Sequence, residues 1–429
     1  MRKTIAAFAF LFLMLSLAAP AAAGWVQDAQ EQLTARQYVK VLEIVAGQGD
    51  AQSVDGLLLR GEAYFELGRI LDAEKDLKAA IAKDNERADC HAMLALVFAK
   101  QRAVEIATQH AEKAMELERT GTSLYAHAIV RLGTGNFDEA MTDVEAAIAL
   151  DGSNPDFHRA RGAVLRFRGN FDAALAEFNK ALELDNRPYK VYLELASLHV
   201  LKGNPVGAKR DINKAVSLAP DLYYGYLGRA AVREAYKEYE GALADYRQAI
   251  KLAPQMVESH LSASNLLVGL GRIQEAENVL LAAKPLCADI PDWYVMMSFI
   301  QSTLEKTDQA LTTLNELVRR TPEEWQGYTL RGQLHGSQNR FDQALADFEK
   351  AIAIDGDAPE PKLNKAKVLI AKKRPQEALA IVNAMIVKHP NAISLYQIRM
   401  SIYEAQGNAA KALADLKKME ELQRKAKQQ

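Results

Sequence analysis

The stretch Ala344-Leu-Ala-Asp-Phe-Glu-Lys-Ala351, with Gly332 upstream of it, decides the fold because its first alanine recurs along the chain. Successive copies are 34 residues apart, except for one interval of 33 between Ala107 and Ala140. The complete column is Ala73, Ala107, Ala140, Ala174, Ala208, Ala242, Ala276, Ala310, Ala344, Ala378 and Ala412. Eleven copies in phase indicate a repeat array, since a self-similar period of this length is the signature of a solenoid.

Two further columns of small residues accompany this alanine. Twelve positions before it stand Gly61, Ala95, Ala128, Gly162, Ala196, Ala230, Ser264, Ser298, Gly332 and Ala366, and Met400 interrupts the column in the last copy. Seven positions after it stand Ala80, Ala114, Ala147, Ala181, Ala215, Ala249, Ala283 and Ala351, with Leu317, Met385 and Met419 as exceptions. Small residues where helices cross allow the helix axes to approach to about 8–10 Å. Larger neighbours such as Phe178 and Phe348 are expected to fill the space between units.

Each repeat is predicted to contain two helices, because apolar residues recur at i, i+3, i+4 and i+7 on both sides of a turn. The turn between the two helices is predicted at a glycine, which can end a helix with positive φ. These glycines are Gly68, Gly135, Gly169, Gly203, Gly271 and Gly407. One unit cannot bury its apolar face alone, so neighbouring units are expected to stack.

The columns resemble the tetratricopeptide repeat (TPR), a helical hairpin of 34 residues with small residues, an aromatic residue and proline at set positions. The resemblance extends over about 54–422, nearly the whole chain after its first segment. It implies an all-α solenoid of TPR hairpins that forms a right-handed superhelix. It also implies that the first helix of each unit lines a concave groove that binds a peptide or protein segment.

The chain is predicted to have four parts. A signal peptide at 1–23 precedes a degenerate hairpin at 24–53, which lacks the key alanine and serves as an N-terminal cap. Eleven tandem units follow at 54–422, and 423–429 forms a polar C-terminal tail. Atypical end units are expected because an array must end without an exposed apolar face.

The first 23 residues have the pattern of a secretory signal. Arg2 and Lys3 precede an apolar run at 4–19, and three alanines at 21–23 provide a small-residue cleavage site. Since about 20 apolar residues are needed to span a bilayer, cleavage is favoured over anchoring. No cysteine lies near the site, which argues against lipidation. The mature protein is therefore expected to be exported and soluble, in the bacterial periplasm or secreted.

Composition and motifs exclude several classes of function. The 53 Lys and Arg nearly balance the 55 Asp and Glu, which argues against nucleic-acid binding. Only two cysteines, Cys90 and Cys287, occur, so a disulfide scaffold is excluded. A metal site involving Cys90, His91, His110 and His127 is conceivable, but their spacing is not that of helical ligands, and packing or surface roles are favoured. No catalytic or phosphate-binding motif occurs, so no enzyme, cofactor or metal is predicted.

By resemblance, the groove is lined by the second, fifth, ninth, twelfth and thirteenth positions of each unit. The predicted partner-binding residues are Arg159, Arg166, Phe167, Lys190, Ser197, Tyr224, Glu234, Glu258, Asn265, Asp292 and Phe299. The helix around Arg159 and Arg166 is basic and the following units turn acidic, which favours an extended peptide with acidic and apolar groups. Ordinary charge scatter on a solvated helix surface is the alternative. The chaperone-binding carboxylate clamp of some TPR domains is absent, since Leu261 stands where the clamp lysine would precede Asn265.

Two functional hypotheses remain open. The first is an exported scaffold or adaptor that binds a protein segment in its groove. The second is an accessory spacer or assembly factor of an envelope secretion or polysaccharide-export complex. An enzyme is disfavoured, because no repeat-free stretch is long enough to fold a catalytic domain.

Overall fold

The computed structural model describes residues 21–185, 188–288 and 290–428, which form twenty-four α-helices and one 3-10 turn at Lys284–Leu286. The helices are α1 Ala21–Thr34, α2 Tyr38–Ala46, α3 Val54–Glu66, α4 Ile70–Lys83, α5 Ala88–Lys100, α6 Val104–Leu117, α7 Gly121–Gly133, α8 Phe137–Leu150, α9 Pro155–Phe167, α10 Phe171–Leu184, α11 Tyr189–Leu201, α12 Pro205–Leu218, α13 Tyr223–Ala235, α14 Tyr239–Leu252, α15 Val257–Gly269, α16 Ile273–Ala283, α17 Pro291–Thr303, α18 Thr307–Arg320, α19 Trp325–Ser337, α20 Phe341–Ile354, α21 Pro359–Ala371, α22 Pro375–Lys388, α23 Ile393–Ala405 and α24 Ala409–Gln428. Odd-numbered helices are the first helices of the hairpins and even-numbered ones the second helices. The predicted all-α solenoid of helical hairpins is confirmed.

Helix starts follow from local side-chain chemistry. Ser53 Oγ accepts a hydrogen bond from the Gly56 backbone amide at 3.1 Å and caps α3. Thr120 and Asn154 cap α7 and α9 in the same way. Five helices have proline in the first turn, where the missing amide hydrogen costs nothing: α9, α12, α17, α21 and α22.

The turn inside each hairpin uses one residue with positive φ. All six predicted turn glycines have it, including Gly68 at 73°. Six other hairpins place a non-glycine residue there: Arg36, Arg102, Lys237, Glu305, Asn339 and Lys373. At Gly68 the following amide, that of Arg69, donates to the Tyr64 carbonyl at 2.8 Å, which closes the helix end. The positive φ of the turn is therefore retained in the hairpins that have another residue in place of glycine.

The alanine column lies in the core. Ten of its eleven members are at most 1% exposed, and Ala412 in the last unit is 7% exposed. The small-residue column permits close packing within a hairpin: a Cβ built on Gly162 would lie 2.5 Å from Phe178 Cε1, and one on Gly332 would lie 2.7 Å from Phe348 Cε1. Glycine at these two positions is thus required by the aromatic ring of the second helix.

An ion pair recurs between the first and second helix of many hairpins. An arginine of the first helix binds both carboxylate oxygens of an aspartate sixteen residues later. The pairs are Arg60–Asp76, Arg229–Asp245, Arg331–Asp347 and Arg399–Asp415. Bidentate geometry of this kind orients both side chains. Arg331 also donates to Asn315 Oδ1 of the preceding second helix at 2.9 Å, so it joins neighbouring hairpins.

The chain divides into two compact units. Unit 1 comprises Met1–Gly271 with Asn278–Ala288, and unit 2 comprises Arg272–Glu277 with Asp289–Gln429. In unit 2, a core cluster that includes Phe348, Leu369, Val382 and Ile402 joins helices that follow one another in the chain. This is the neighbour-to-neighbour packing expected of a solenoid.

Unit 1 departs from neighbour-only packing. One core cluster brings Leu57 and Phe65 of α3 together with Tyr223 of α13 and Ala253 after α14. A second joins residues of α1 and α2, such as Tyr38, with Tyr189 of α11 and Leu222. Hairpins more than 100 residues apart in sequence therefore pack directly on each other. We call these long-range contacts the closure of unit 1.

The predicted signal peptide and the predicted C-terminal tail are described by the structure only in part. Residues 1–20 of the predicted signal peptide lie outside the described residues, and the backbone of 21–23 begins α1. At the other end α24 continues to Gln428, so 423–428 prolong the last helix. Within the described ranges no helix combines the length and apolarity required to cross a bilayer.

Candidate functional site

The predicted groove arginines of α9 bind acidic side chains of the same chain. Arg166 lies 3.3 Å from Glu194 Oε2 on α11, and Arg159 lies 3.7 Å from the other oxygen of Glu194. Arg159 also donates to Asp156 Oδ1 at 3.0 Å and to the Tyr125 hydroxyl at 2.6 Å. The positive charge predicted for this helix is thus largely balanced by its own neighbours.

Lys190 also has an internal partner. Its Nζ donates to Glu66 Oε1 of α3 at 2.7 Å, and the Tyr189 hydroxyl donates to Glu66 Oε2 at 3.2 Å. Positions 66 and 190 are 124 residues apart, so this contact belongs to the closure of unit 1.

Tyr224 lies in the same closed region. Its ring centroid is 4.0 Å from that of Tyr223, and Lys100 Nζ of α5 lies 5.2 Å from the Tyr224 ring. Burial raises the pKa of Tyr224 well above its ordinary value. The side chain is therefore partly covered by unit 1 itself.

The turn between α1 and α2 provides a further contact across unit 1. Arg36 donates through Nε and Nη2 to the two oxygens of Asp185, at 3.3 and 2.7 Å, and Nη2 lies 3.4 Å from Asp156 Oδ2. Its guanidinium carbon is 5.5 Å from the centre of the Tyr189 ring. The sequence predicts this turn only as part of a degenerate cap, because Arg36 belongs to none of the repeat columns.

Glu62 of α3 is half-buried and lies within electrostatic reach of Asp89, Glu66 and Lys190. Burial raises its pKa to about 8, and the negative charges of Asp89 and Glu66 act in the same direction. The positive charge of Lys190 opposes them only in part. The negative charge of Glu62 is therefore disfavoured in the folded chain, which the raised pKa expresses.

Five other predicted residues of unit 1 have varied surroundings. Phe167 is exposed and stacks on Phe137 with ring centroids 5.8 Å apart. Glu234 accepts a hydrogen bond from the Tyr246 hydroxyl at 2.9 Å, and Ser197 is half-buried. Glu258 and Asn265 of α15 are exposed.

Unit 2 leaves its first helices more open. Of the predicted residues, Asp292 and Phe299 lie on α17, and Phe299 is 55% exposed. Exposed side chains at the corresponding positions of unit 2 include Asp292, Phe299, Gln326, Glu360, Lys367, Gln397 and Ser401. Gln333 of α19 donates to Glu360 of α21 at 2.9 Å, which shows that these positions adjoin on consecutive first helices. We call this surface the first-helix face of unit 2.

The histidine and cysteine cluster is a packing feature. His91 Nδ1 lies 2.9 Å from His110 Nδ1, and burial lowers the pKa of His110 to about 4. Burial raises the pKa of both Cys90 and Cys287 to about 12. In the part of the chain that the structure describes, no three His, Cys, Asp or Glu side chains are grouped so as to hold a metal ion.

Comparison with known proteins identifies the repeat. A family model described as tetratricopeptide repeat matches residues 58–116, 125–191, 237–289 and 302–359, together more than half of the chain. A second model with the same description matches residues 337–399. No curated protein sequence matches the chain significantly.

Two solved structures match most of the chain at low identity. The crystal structure of the APC/C hetero-tetramer Cut9-Hcn1 has a chain with 13% identity and a TM-score of 0.41, with 95% of each chain covered. Yeast Tom70 has 18% identity and a TM-score of 0.45, with 86% of this chain and 92% of that chain covered.

Proposed function

Because the chain belongs to the tetratricopeptide repeat family, a scaffold fold typical of protein–protein interaction, we propose that it binds an extended protein segment along the first-helix face of unit 2. The proposal assigns no catalytic role to the chain. Asp292 and Phe299 of the predicted groove belong to this proposed surface. The predicted residues on α9 and α11 do not.

One observation carries this choice of surface. In unit 1 the groove residues Arg159, Arg166 and Lys190 already bind Glu194 and Glu66. In unit 2 Phe299 is 55% exposed, although a phenylalanine in a folded protein is usually buried. Phe167 of unit 1 is 51% exposed, but its ring stacks on Phe137 and lies 4.4 Å from the Arg166 guanidinium carbon. An exposed aromatic ring on a helix face is a common anchor of binding surfaces.

The chemistry of the face favours one class of segment. Gln326, Gln397 and Ser401 offer donors and acceptors that suit the backbone of an extended peptide. Phe299 suits an apolar side chain, and the exposed ammonium of Lys367 suits a carboxylate. We therefore propose an extended segment with an apolar side chain at Phe299 and a carboxylate at Lys367. The carboxylates of Asp292 and Glu360 on the same face would suit a basic group of that segment.

A displayed peptide library selected on the full chain tests the proposal. We expect Phe299→Ala and Lys367→Ala to weaken the selected peptides about tenfold each, since anchor residues contribute on the order of 1–2 kcal/mol. Val387→Ala is the matched control, because Val387 is an 82% exposed apolar residue on a second helix of the same unit. If Val387→Ala weakened binding as much as Phe299→Ala, the second helices would be the binding surface, which favours the spacer hypothesis instead.

The export of this scaffold is a further part of the proposal. Support comes from the sequence pattern of residues 1–23. Expression of the full-length chain in a bacterium, followed by fractionation and intact-mass measurement, tests it. We expect a periplasmic or secreted product that begins at Gly24; an uncleaved product in the cytoplasmic fraction would contradict export.

A further inference from the structure

Arg36, in the turn between α1 and α2, and Tyr38, the first residue of α2, both pack against other hairpins of unit 1. Arg36 is only 8% exposed, and its partner Asp185 has a side chain that is 4% exposed. Tyr38, two residues further on, is 4% exposed and has its hydroxyl 3.4 Å from that of Tyr189. The site thus holds one guanidinium and one phenol.

The receiving site has the composition of an arginine pocket. Asp185 binds the guanidinium through both oxygens, Asp156 adds a second carboxylate, and the Tyr189 ring lies against the cation. A bidentate carboxylate and an aromatic face are the groups that distinguish arginine from lysine. Glu66, which accepts from the Tyr189 hydroxyl, extends the site on the side of the phenols.

The carboxylate of Asp156 keeps its negative charge because several cations surround it. Burial opposes the ionisation of Asp156. The nearby cations, first Lys190 and then Arg159 and Arg36, nevertheless hold the pKa of this carboxyl well below its usual range. Removal of Arg36 would therefore take away the bidentate partner of Asp185 and one of the cations beside the Asp156 carboxylate.

The inserted turn belongs to a segment that is joined to the array by a short linker. Helix α2 ends at Ala46 and α3 begins at Val54, and the connection contains the exposed Gly47 and Gly49. Glycines in such a connection permit a hinge motion without steric cost. A displacement of the hairpin α1–α2 would hinge at this connection. It would also uncover Val41 and Val45, which lie in one core cluster with Leu59, so a partner must replace this apolar contact as well.

We propose that unit 1 contains an arginine-binding site, formed by Asp156, Asp185, Tyr189 and Glu66, that the Arg36-Gln37-Tyr38 turn occupies in the absence of a partner. The external ligand is a protein segment that presents arginine and, two residues later, tyrosine. It displaces the hairpin α1–α2, so the hairpin inhibits binding until the partner competes. This site is separate from the first-helix face of unit 2, so either proposal can fail alone.

The test uses the mature full-length chain and a fluorescein-labelled synthetic peptide of residues 24–47. We expect Arg36→Ala to bind the peptide at least about tenfold more tightly than wild type, because the internal ligand has lost its guanidinium. Asp185→Asn added to Arg36→Ala should abolish this gain, and a peptide with lysine in place of its arginine should not bind. Equal, weak binding of the peptide by wild type and a folded Arg36→Ala variant would overturn the proposal.

Two additions keep the test decisive if Arg36→Ala is poorly folded. Arg36→Lys retains the charge but loses the bidentate geometry, and it should gain peptide binding in the same direction by a smaller factor. Methylguanidinium at millimolar concentration should raise the thermal midpoint of Arg36→Ala and leave that of Arg36→Ala/Asp185→Asn unchanged. Equal effects of methylguanidinium on both variants would show that no guanidinium site is present.

Discussion

Gly68 lies against Ala253: a Cβ built on Gly68 would be only 2.6 Å from the Ala253 Cβ, although 185 residues separate the two positions. The ring of Tyr223 lies 2.8 Å from the same point. Gly68 is therefore needed twice, for the positive φ of its hairpin turn and for the closure of unit 1. This double role allows the closure to be measured separately from the turn.

The first prediction compares two turn glycines. Gly135 also has positive φ, at 82°, but nothing lies within 4 Å of a Cβ built on it. We expect Gly135→Ala to lower the free energy of unfolding by about 1–2 kcal/mol through backbone strain alone. Gly68→Ala should cost about 1–3 kcal/mol more, because the added methyl overpacks the contact with Ala253 and Tyr223. Urea denaturation of both variants checks this; equal midpoints would contradict direct packing at Gly68.

The second prediction concerns the ion pair between Glu66 and Lys190. Their 2.7 Å contact allows a carbodiimide to join the two side chains without a spacer. We expect mass spectrometry to find a cross-linked peptide that contains both residues in the monomeric protein. Lys365 and Glu349, 2.9 Å apart on neighbouring hairpins of unit 2, give the positive control. A yield at Lys365–Glu349 without any at Lys190–Glu66 would contradict closure in solution.

The third prediction is a pH dependence that originates at Glu62. Its pKa rises from an ordinary 4.5 to about 8 in the folded chain, so between these values the folded state binds more protons than the unfolded state. The contribution of Glu62 to stability is therefore present below pH 4.5 and is lost as pH rises through about 8.

Glu62→Gln should remove this dependence. We expect the variant to gain thermal stability over wild type at pH 8 and to gain little at pH 5, since glutamine stays neutral at both. Glu404→Gln, at an exposed position of α23, is the control and should change the midpoint equally at both pH values. A gain at Glu62→Gln that did not increase with pH would show that this carboxyl is ordinary in the folded state.

The fourth prediction concerns the repeated ion pair in unit 2. Asp347 accepts two hydrogen bonds from Arg331, at 2.9 and 2.7 Å, and its side chain is largely buried. Asp347→Ala leaves the guanidinium without its main partner, and we expect a loss of about 1–3 kcal/mol in the free energy of unfolding. A double-mutant cycle with Arg331→Ala should give a coupling energy on the order of 1 kcal/mol. Additive effects of the two substitutions would mean that the pair contributes nothing.

Local features of the fold were predictable from the sequence because they repeat within one hairpin. The alanine column lies in the core, and the predicted turn glycines all have positive φ. The arginine–aspartate pair sixteen residues apart recurs in the sequence as well, but the small and apolar columns that define the repeat do not include it. Helix positions were therefore readable, while the side-chain partners on those helices were only partly so.

The sequence alone determined the period, the helical hairpins and the residues that face the core, since each depends on contacts within about 34 residues. Only the tertiary structure decided that Arg36 binds Asp185 and that Lys190 binds Glu66. Such contacts depend on the small rotation of each repeat relative to the one before it, added over several repeats. The pattern of residues within a repeat does not determine this total rotation. The same reason explains why Arg159, Arg166 and Lys190, predicted for the groove, bind carboxylates of their own chain.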